Sequence, residues 1–438
     1  KFRDCRLMKI DVMTKDKNIK TVVPALRFPE FRDGEGWKRT PILEICEIIG
    51  GGTPSSSNDV YWNGDIPWIS SSDINENNIS EITPTRHITK DAIKHSATKL
   101  CKAPSIHIVS RVGVGKVAFS RVDICTSQDF TNLCNINCNY IFLSYLLSTI
   151  MKQKVQETQG TSIKGIASAE IKNLHVPLPE IEEQQRIADC LSSLDDLISA
   201  VADKIETLEE YKKGLMQQLF PAEGKTTPDI RFPEFQNEGK WILLPIKKCN
   251  IDILTGYAFK GSEILEDNNG TPLMRGINIT EGVVRHNNDI DRFYSREDHT
   301  LSKYRLLCND LVIAMDGSKV GRNFALINKQ DEGSLLVQRV ARLRADNIDF
   351  IMFIYQQIGS DRFKKYIDRI NTSSGIPHIS LKQIEDFKIW TTRNDKEFRM
   401  VTNCLSSVDE LISTETAKLD QLKNHKKGLM QQLFPKLQ

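Results

Sequence analysis

Gly428-Leu429-Met430-Gln431-Gln432-Leu433-Phe434-Pro435 repeats, letter for letter, Gly214-Leu215-Met216-Gln217-Gln218-Leu219-Phe220-Pro221. Each copy closes a long segment with a heptad apolar pattern, and each such segment follows a larger, much less similar block. One half-unit is therefore used twice. A second signature opens each half: Arg27-Phe28-Pro29-Glu30-Phe31 with Trp37 six residues on, and Arg231-Phe232-Pro233-Glu234-Phe235 with Trp241 six residues on. The openings lie 204 residues apart (27 to 231) and the closings 214 (214 to 428), so the second half gained a net ten residues between its signatures. Alike ends around divergent middles point to a shared scaffold carrying two different reading heads. A solenoid needs three or more short repeats, and a duplicated enzyme tends to keep its chemical residues in both middles.

The 438 residues suffice for two or three domains, and 39% apolar with 26% charged residues is ordinary soluble globular composition. The net charge of +2 conceals 59 basic side chains, enough to line a phosphate-binding surface locally. Ten cysteines without a signal peptide suggest a reducing cytoplasm. Cys46 and Cys249, Cys101 and Cys308, and Cys190 and Cys404 recur at corresponding places, as buried small side chains duplicated with the rest. The Cys134-Asn-Ile-Asn-Cys138 spacing lacks a second Cys or His pair at zinc-ligand distance. The most apolar stretch, 140–151, is too short to span a bilayer and contains Ser144 and Ser148. Residues 1–20 are polar and unpatterned, and read as a loose leader or expression remnant.

After Pro177-Leu178-Pro179 the chain reads as one helix to Phe220, with apolar residues at Ile187, Leu191, Leu194, Ile198, Val201, Ile205 and Leu208 and, skipping Lys212, at Leu215 and Leu219. Steps alternating four and three make the a/d seam of a coiled coil. The second copy places Val401, Leu405, Val408, Ile412, Leu419, Leu422 and Leu429 on the same stripe, interrupted by Glu415. A polar seam residue is one way to fix register. The nearest equivalent partner for each seam is the other copy, and a pseudo-twofold relation pairs the helices antiparallel. About 33 residues at about 1.5 Å each give a rod near 50 Å, the span of about 15 base pairs.

The blocks before these helices alternate short apolar segments with Gly and Pro turns, so each reads as a mixed α/β domain with one amphipathic helix, around 140–156 in the first and 349–369 in the second. Arg111-Val112-Gly113-Val114-Gly115-Lys116 and Asp316-Gly317-Ser318-Lys319-Val320-Gly321-Arg322 set glycines, which permit close backbone approach, beside basic side chains. The first is no nucleotide loop, because Ser110 stands where that motif needs Gly and Val117 follows the Lys. Gln128, followed by Asp129, and Gln338, Arg339 and Arg342 are side-chain types that address adenine and guanine edges. Arg275 and Asn278, in Pro272-Leu273-Met274-Arg275-Gly276-Ile277-Asn278-Ile279, complete the candidate DNA-contact set with Arg111, Lys116, Lys319 and Arg322.

Gly51-Gly52-Thr53-Pro54 leading to Tyr61-Trp62-Asn63-Gly64-Asp65-Ile66-Pro67-Trp68-Ile69 resembles the opening of a target-recognition domain in type I restriction-modification specificity subunits. Thr255-Gly256-Tyr257-Ala258-Phe259-Lys260 with 272–279 resembles the same opening in another variant, and Pro177-Leu178-Pro179-Glu180-Ile181-Glu182-Glu183-Gln184-Gln185-Arg186-Ile187-Ala188 resembles the family's conserved helix start. The second helix start, Thr391-Thr392-Arg393-Asn394-Asp395-Lys396-Glu397, departs from it, lacking Pro-Leu-Pro and the Glu-Gln pair. The resemblance spans about residues 25–435.

It implies a non-catalytic reader of double-stranded DNA with a split target. Two α/β target-recognition domains each read one half-site, and two long antiparallel coiled-coil helices act as ruler and dock two DNA methyltransferase (modification) subunits. Restriction/translocase subunits then join. Adenine methylation and endonuclease activity, S-adenosylmethionine and ATP with Mg belong to the partner chains, and this chain carries no cofactor or metal. The expected segments are a leader (1–24), a first head (25–178), a central helix (179–221), a linker (222–240), a second head (241–390) and a closing helix (391–438). The chain holds no methyltransferase Asn/Asp-Pro-Pro-Tyr/Phe, Gly-x-Gly-x-x-Gly, Walker or His-Glu-x-x-His motif, in keeping with a non-catalytic role. A bivalent nucleic-acid or protein-binding scaffold with no restriction role shares the same outline; filter binding to random duplex DNA with and without a methyltransferase, at stated salt, separates the two.

If the helices are the ruler, matched seven-residue insertions after Ala202 and Thr416 add about 10 Å, or about three base pairs, to the nonspecific spacer of the target. The methylated motif of a cell carrying the lengthened chain measures this, and an unchanged spacer with retained binding makes something else the ruler.

Overall fold

A computed structural model describes residues 21–157, 165–296, 299–317, 319–371 and 377–435. The leader assigned to 1–20, and Ser318, lie outside them. The chain divides into two compact units, Lys1–Ala202 with Ala417–Gln438, and Asp203–Thr416. The dividing points fall inside the two long helices, Ile181–Leu219 and Asp395–Leu433, rather than at the helix starts near 179 and 391. Each unit thus holds one head, the portion of helix leading from it, and part of the other helix.

In the first unit, Glu47–Gly50, Phe130–Cys134, Ser105–Val109 and Val117–Ser120 form an antiparallel sheet in that order. Helix Tyr140–Glu157 covers it, with Phe142, Leu146, Leu147 and Ile150 packed among Ile106, Ile108, Phe119 and Leu133. A second sheet runs Arg86–Ile88, Ile66–Ile69, Ile124–Thr126, Leu100–Cys101, its middle pair parallel. Trp37–Pro41 pairs antiparallel with His175–Leu178, setting the opening signature beside the start of the first long helix.

The second unit repeats the plan. Asp252–Thr255, Val340–Arg344, Leu311–Ala314 and Phe324–Leu326 form the antiparallel sheet, Thr271–Met274 lies parallel to Leu335–Leu336 in the other, and Ile242–Pro245 pairs with Lys388–Thr391. The single helix read over 349–369 is two, Ile348–Ile358 and Asp361–Ile370. Ser360 interrupts it: its hydroxyl accepts from the Phe363 backbone N–H, capping a new helix where the old one ends at Gly359.

Both long helices start on a buried carboxylate. Arg27 donates from Nε (2.8 Å) and Nη2 (2.6 Å) to Glu183, and the Trp37 indole donates to the same carboxylate at 3.2 Å. In the second unit Arg231 donates to Glu397 at 2.6 and 2.9 Å, and Trp241 at 2.9 Å. The two glutamates are 2% and 1% exposed, so the pairs are shielded from solvent. Glu397 stands 214 residues after Glu183, the same interval as the octapeptides. The second helix start has lost its prolines but keeps this contact. Gln184, which holds the Asn139 N–H and the Pro179 carbonyl, is replaced by Phe398, packed on Phe350 and Phe353. Above each clamp the tryptophan meets a phenylalanine of the repeated octapeptide: Trp37 lies 6.4 Å from Phe434, and Trp241 5.8 Å from Phe220.

Within each unit the two helix portions run antiparallel. In the first, Ile187, Ala188 and Leu191 share a core with Leu433 and Phe434, while Asp195, further on, meets Lys426, further back. In the second, Lys204 pairs with Glu415 at 2.5 Å and Lys212 with Asp409 at 2.6 Å. Of the seam residues, Ile187, Leu191, Leu405 and Val408 are buried, and Leu194, Ile198, Ile205, Leu208, Ile412, Leu419 and Leu422 are half-buried. The Lys212–Asp409 and Lys426–Asp195 pairs are equivalents, 214 residues apart. Each aspartate takes a further bond from its head's helix: Tyr145 Oη donates to Asp195 at 2.6 Å, and Gln356 Nε2 to Asp409 at 2.8 Å. Burial and the Asp195 carboxylate push the Tyr145 phenol far up, so it stays a donor. Among the described residues no helix is long and apolar enough to cross a membrane.

Arg27→Met strands the Glu183 carboxylate and should cost about 3–5 kcal/mol, whereas Arg27→Met with Glu183→Leu should recover most of it. Denaturant unfolding of both variants measures the difference, and equal losses would mean that the carboxylate is not what the arginine compensates.

Candidate nucleic-acid interface

Each unit by itself brings corresponding loops together at one end of its sheet, through matching backbone bonds. In the first, Gly51 N–H donates to the Phe130 carbonyl (3.3 Å), Gly52 to Thr126 (2.9 Å), Ser110 to Asp129 (2.8 Å) and Ile166 to Ser110 (2.8 Å). In the second, Gly256 donates to Val340 (3.1 Å), Tyr257 to Leu336 (2.9 Å), Met315 to Arg339 (2.9 Å) and Ile379 to Met315 (2.8 Å). Gly51 and Gly256 are required by this approach: a Cβ would sit 1.9 Å from the Ser127 carbonyl oxygen or 2.2 Å from that of Val337. The glycine-basic segments form adjacent turns. Gly115 and Gly321 have φ of +95° and +73°, and each is packed under a helix side chain, Val155 or Ile367.

On this frame Gln128 and Gln338 occupy one position and both are exposed, Gln128 bonded to Thr53. Asp129 corresponds to Arg339, and Arg111 to Asp316. Arg339 Nη1 lies 3.1 Å from Asp316, with the arginine side chain 71% exposed. Arg111 is exposed and, with Lys116, lines an open depression of about 520 Å³. Lys319 and Arg322 are exposed on the turn of the second unit. Tyr257 and Ile277, not singled out from sequence, add an exposed ring and exposed methyls to the cluster at 40% and 45% exposure; Tyr257 stood within the opening motif but carries no charge to mark it.

Four sequence candidates are engaged within the fold. Arg342 is 2% exposed in an all-but-buried strand, bonded to Asp252 and, at 3.1 Å, to the Lys303 carbonyl, so it is an interior cation and no base contact. Desolvation holds its pKa below that of a free guanidinium. Asn278 is likewise buried: its Oδ1 accepts from the Arg275 N–H, and its amide donates to Asp291 at 2.9 Å. Asp73 makes the same cap on Ser70 in the first unit. Arg275 is half-buried with Nη1 on the Ile290 carbonyl, and Lys116 is half-buried with Nζ 3.2 Å from the Ser71 carbonyl. The signal missed in the helices was the recurrence of Asp195 and Lys212 as Asp409 and Lys426: charges repeated at the octapeptide interval of 214 residues mark facing pairs within the chain itself.

A family model described as the type I restriction modification DNA specificity domain matches residues 34–210. The type I restriction enzyme MjaVIII specificity subunit of Methanocaldococcus jannaschii is 28% identical over 304 residues, covering 67% of this chain and 69% of that protein. The EcoR124I/EcoR124II specificity subunit of Escherichia coli is 34% identical over 184 residues, 40% of this chain and 44% of its own length. In fold, the chain matches the solved S subunit of a type I restriction-modification system from M. genitalium with a TM-score of 0.62 at 15% identity, over 95% of this chain and 100% of that one. Residues 34–210 thus carry a type I restriction modification DNA specificity domain, and the chain as a whole is similar in sequence and fold to type I specificity subunits.

Proposed function

We propose that the two loop clusters are separate DNA readers, one for each half of a bipartite target, and that the long helices dock two methyltransferase subunits which a restriction/translocase subunit then joins. In this reading adenine methylation, S-adenosylmethionine, ATP with Mg and DNA cleavage belong to the partner chains. The supporting observation is that both clusters keep the same backbone bonds while the side chains at their tips differ: Arg111 and Asp129 in one, Asp316 and Arg339 in the other. A retained frame with exchanged side chains is what two specificities on one scaffold require, since base edges are told apart by side chains and not by backbone.

Exchanging residues 37–177 for the corresponding block of a relative should alter one half of the methylated motif and leave the other unchanged. Methylome sequencing reads this directly, and a change in both halves or in neither rejects one head per half-site. Lys319→Ala and Arg322→Ala replace exposed side chains, so stability should hold within about 0.5 kcal/mol. DNA affinity should fall, with the salt slope dropping by about one unit per lost phosphate contact. Full-strength binding across a salt series would remove this turn from the interface.

A further inference from the structure

We propose that Arg339 is the base-reading residue of the second head, that it recognises guanine by its major-groove edge, and that Asp316 is the residue positioning it. This rests on the DNA-reading role above and goes beyond it by naming the residue and the base.

The corresponding positions of the first unit argue that the pair is not there to build the loops. Asp129 stands where Arg339 stands and Arg111 where Asp316 stands, yet four backbone bonds that assemble the cluster are the same; the positive φ of Arg339 and the Gln338 N–H bond to Tyr257 belong to the second unit. The frame therefore forms with the charges reversed. Nor does stability call for the pair, since an ion pair this exposed contributes about 0–1 kcal/mol.

The backbone of Arg339 is costly. Its φ is +64°, a region that long side chains avoid, and it is held there by the Met315 N–H on its carbonyl and by the neighbouring Gln338 N–H on the Tyr257 carbonyl. Strain at an exposed residue, enforced from both sides, fixes where the side chain leaves the surface. Among the described residues the ion pair with Asp316 engages Nη1, which leaves Nε and Nη2 as a fork. Two parallel donors match the O6 and N7 acceptors of guanine, the commonest specific contact in the major groove, and a carboxylate at 3.1 Å restricts the rotamers of that fork before DNA arrives. Asp129, in the same place on the first head, is an acceptor and asks for the opposite edge.

The test uses the full chain assembled with its methyltransferase partner, selecting duplexes from a pool of randomised sequence. Arg339→Ala, and Arg339→Gly, whose backbone accepts positive φ, should both lower the preference for guanine at one base pair of one half-site roughly 10- to 100-fold, leaving the other half-site unchanged. Arg339→Lys should lose most of the same preference, because an ammonium is not a fork. Asp316→Asn should weaken preference at that base pair and no other. Agreement between the Ala and Gly variants, with unchanged melting, excludes a folding defect. Uniform loss of affinity with an unchanged motif would make Arg339 a phosphate contact and overturn the inference, as would relaxation in both half-sites or at a base other than guanine. If the unaltered assembly selects no motif at all, the DNA-reading role itself falls, and the inference with it.

Discussion

A carboxylate with almost no access to water sets the terms for both halves of this chain. Glu183 and Glu397 each sit in the first turn of a long helix, where burying an anion is costly unless charge and hydrogen bonds answer it. The answer common to both halves is one guanidinium and one indole from the opening signature of the same half, with the Thr392 hydroxyl adding a third donor at Glu397. This explains why Arg and Trp keep their ten-residue spacing in both copies. The tryptophan is then a wall of the core, packed between a phenylalanine of its own head's helix and a phenylalanine of the octapeptide from the other repeat. The ends of the two halves are alike because each closes the other.

The helix seams are thin by comparison. Most seam residues are half-buried, and charged pairs flank them: Lys212 with Asp409, Lys426 with Asp195, Lys204 with Glu415. Glu415 is 9% exposed and occupies the place held by Val201 in the other helix, so the repeat is broken at one buried position. The aspartates also bind the helix of their own head, through Tyr145 or Gln356, which couples head to helix without invoking the loops. The candidate surface and the scaffold are thus free to vary separately.

Much of this was legible in the chain. The repeated octapeptide revealed the duplication, the three-four spacing revealed the helices, and the glycine-basic segments marked turns that do join the candidate surface. What failed was telling an exposed basic residue from a buried one. Arg342 lies in Val-Ala-Arg-Leu-Arg, a stretch whose sequence does not say that both faces of the strand are covered, and only the Asp252 and Lys303 contacts show that the guanidinium is used inside. Asn278 was legible in principle: three residues after Arg275, it has the spacing of a turn cap. The helix break at Gly359-Ser360 was legible too, as a pair of residues that favour ending one helix and starting another.

The assignment of residues 417–435 to the first unit bears on how the protein is made. Trp37 and Phe142 are walled by Phe434, and the Leu26 N–H finds its acceptor in the Gln432 carbonyl at 3.0 Å. Synthesis at about 5–20 residues per second puts roughly 10–50 s between the emergence of residue 202 and that of residue 434. The second unit, contiguous from 203 to 416, has all its pieces on the ribosome first. Of the two heads, the one translated earlier is therefore completed later, its aromatic core at Trp37 and Phe142 lacking one wall until Phe434 emerges.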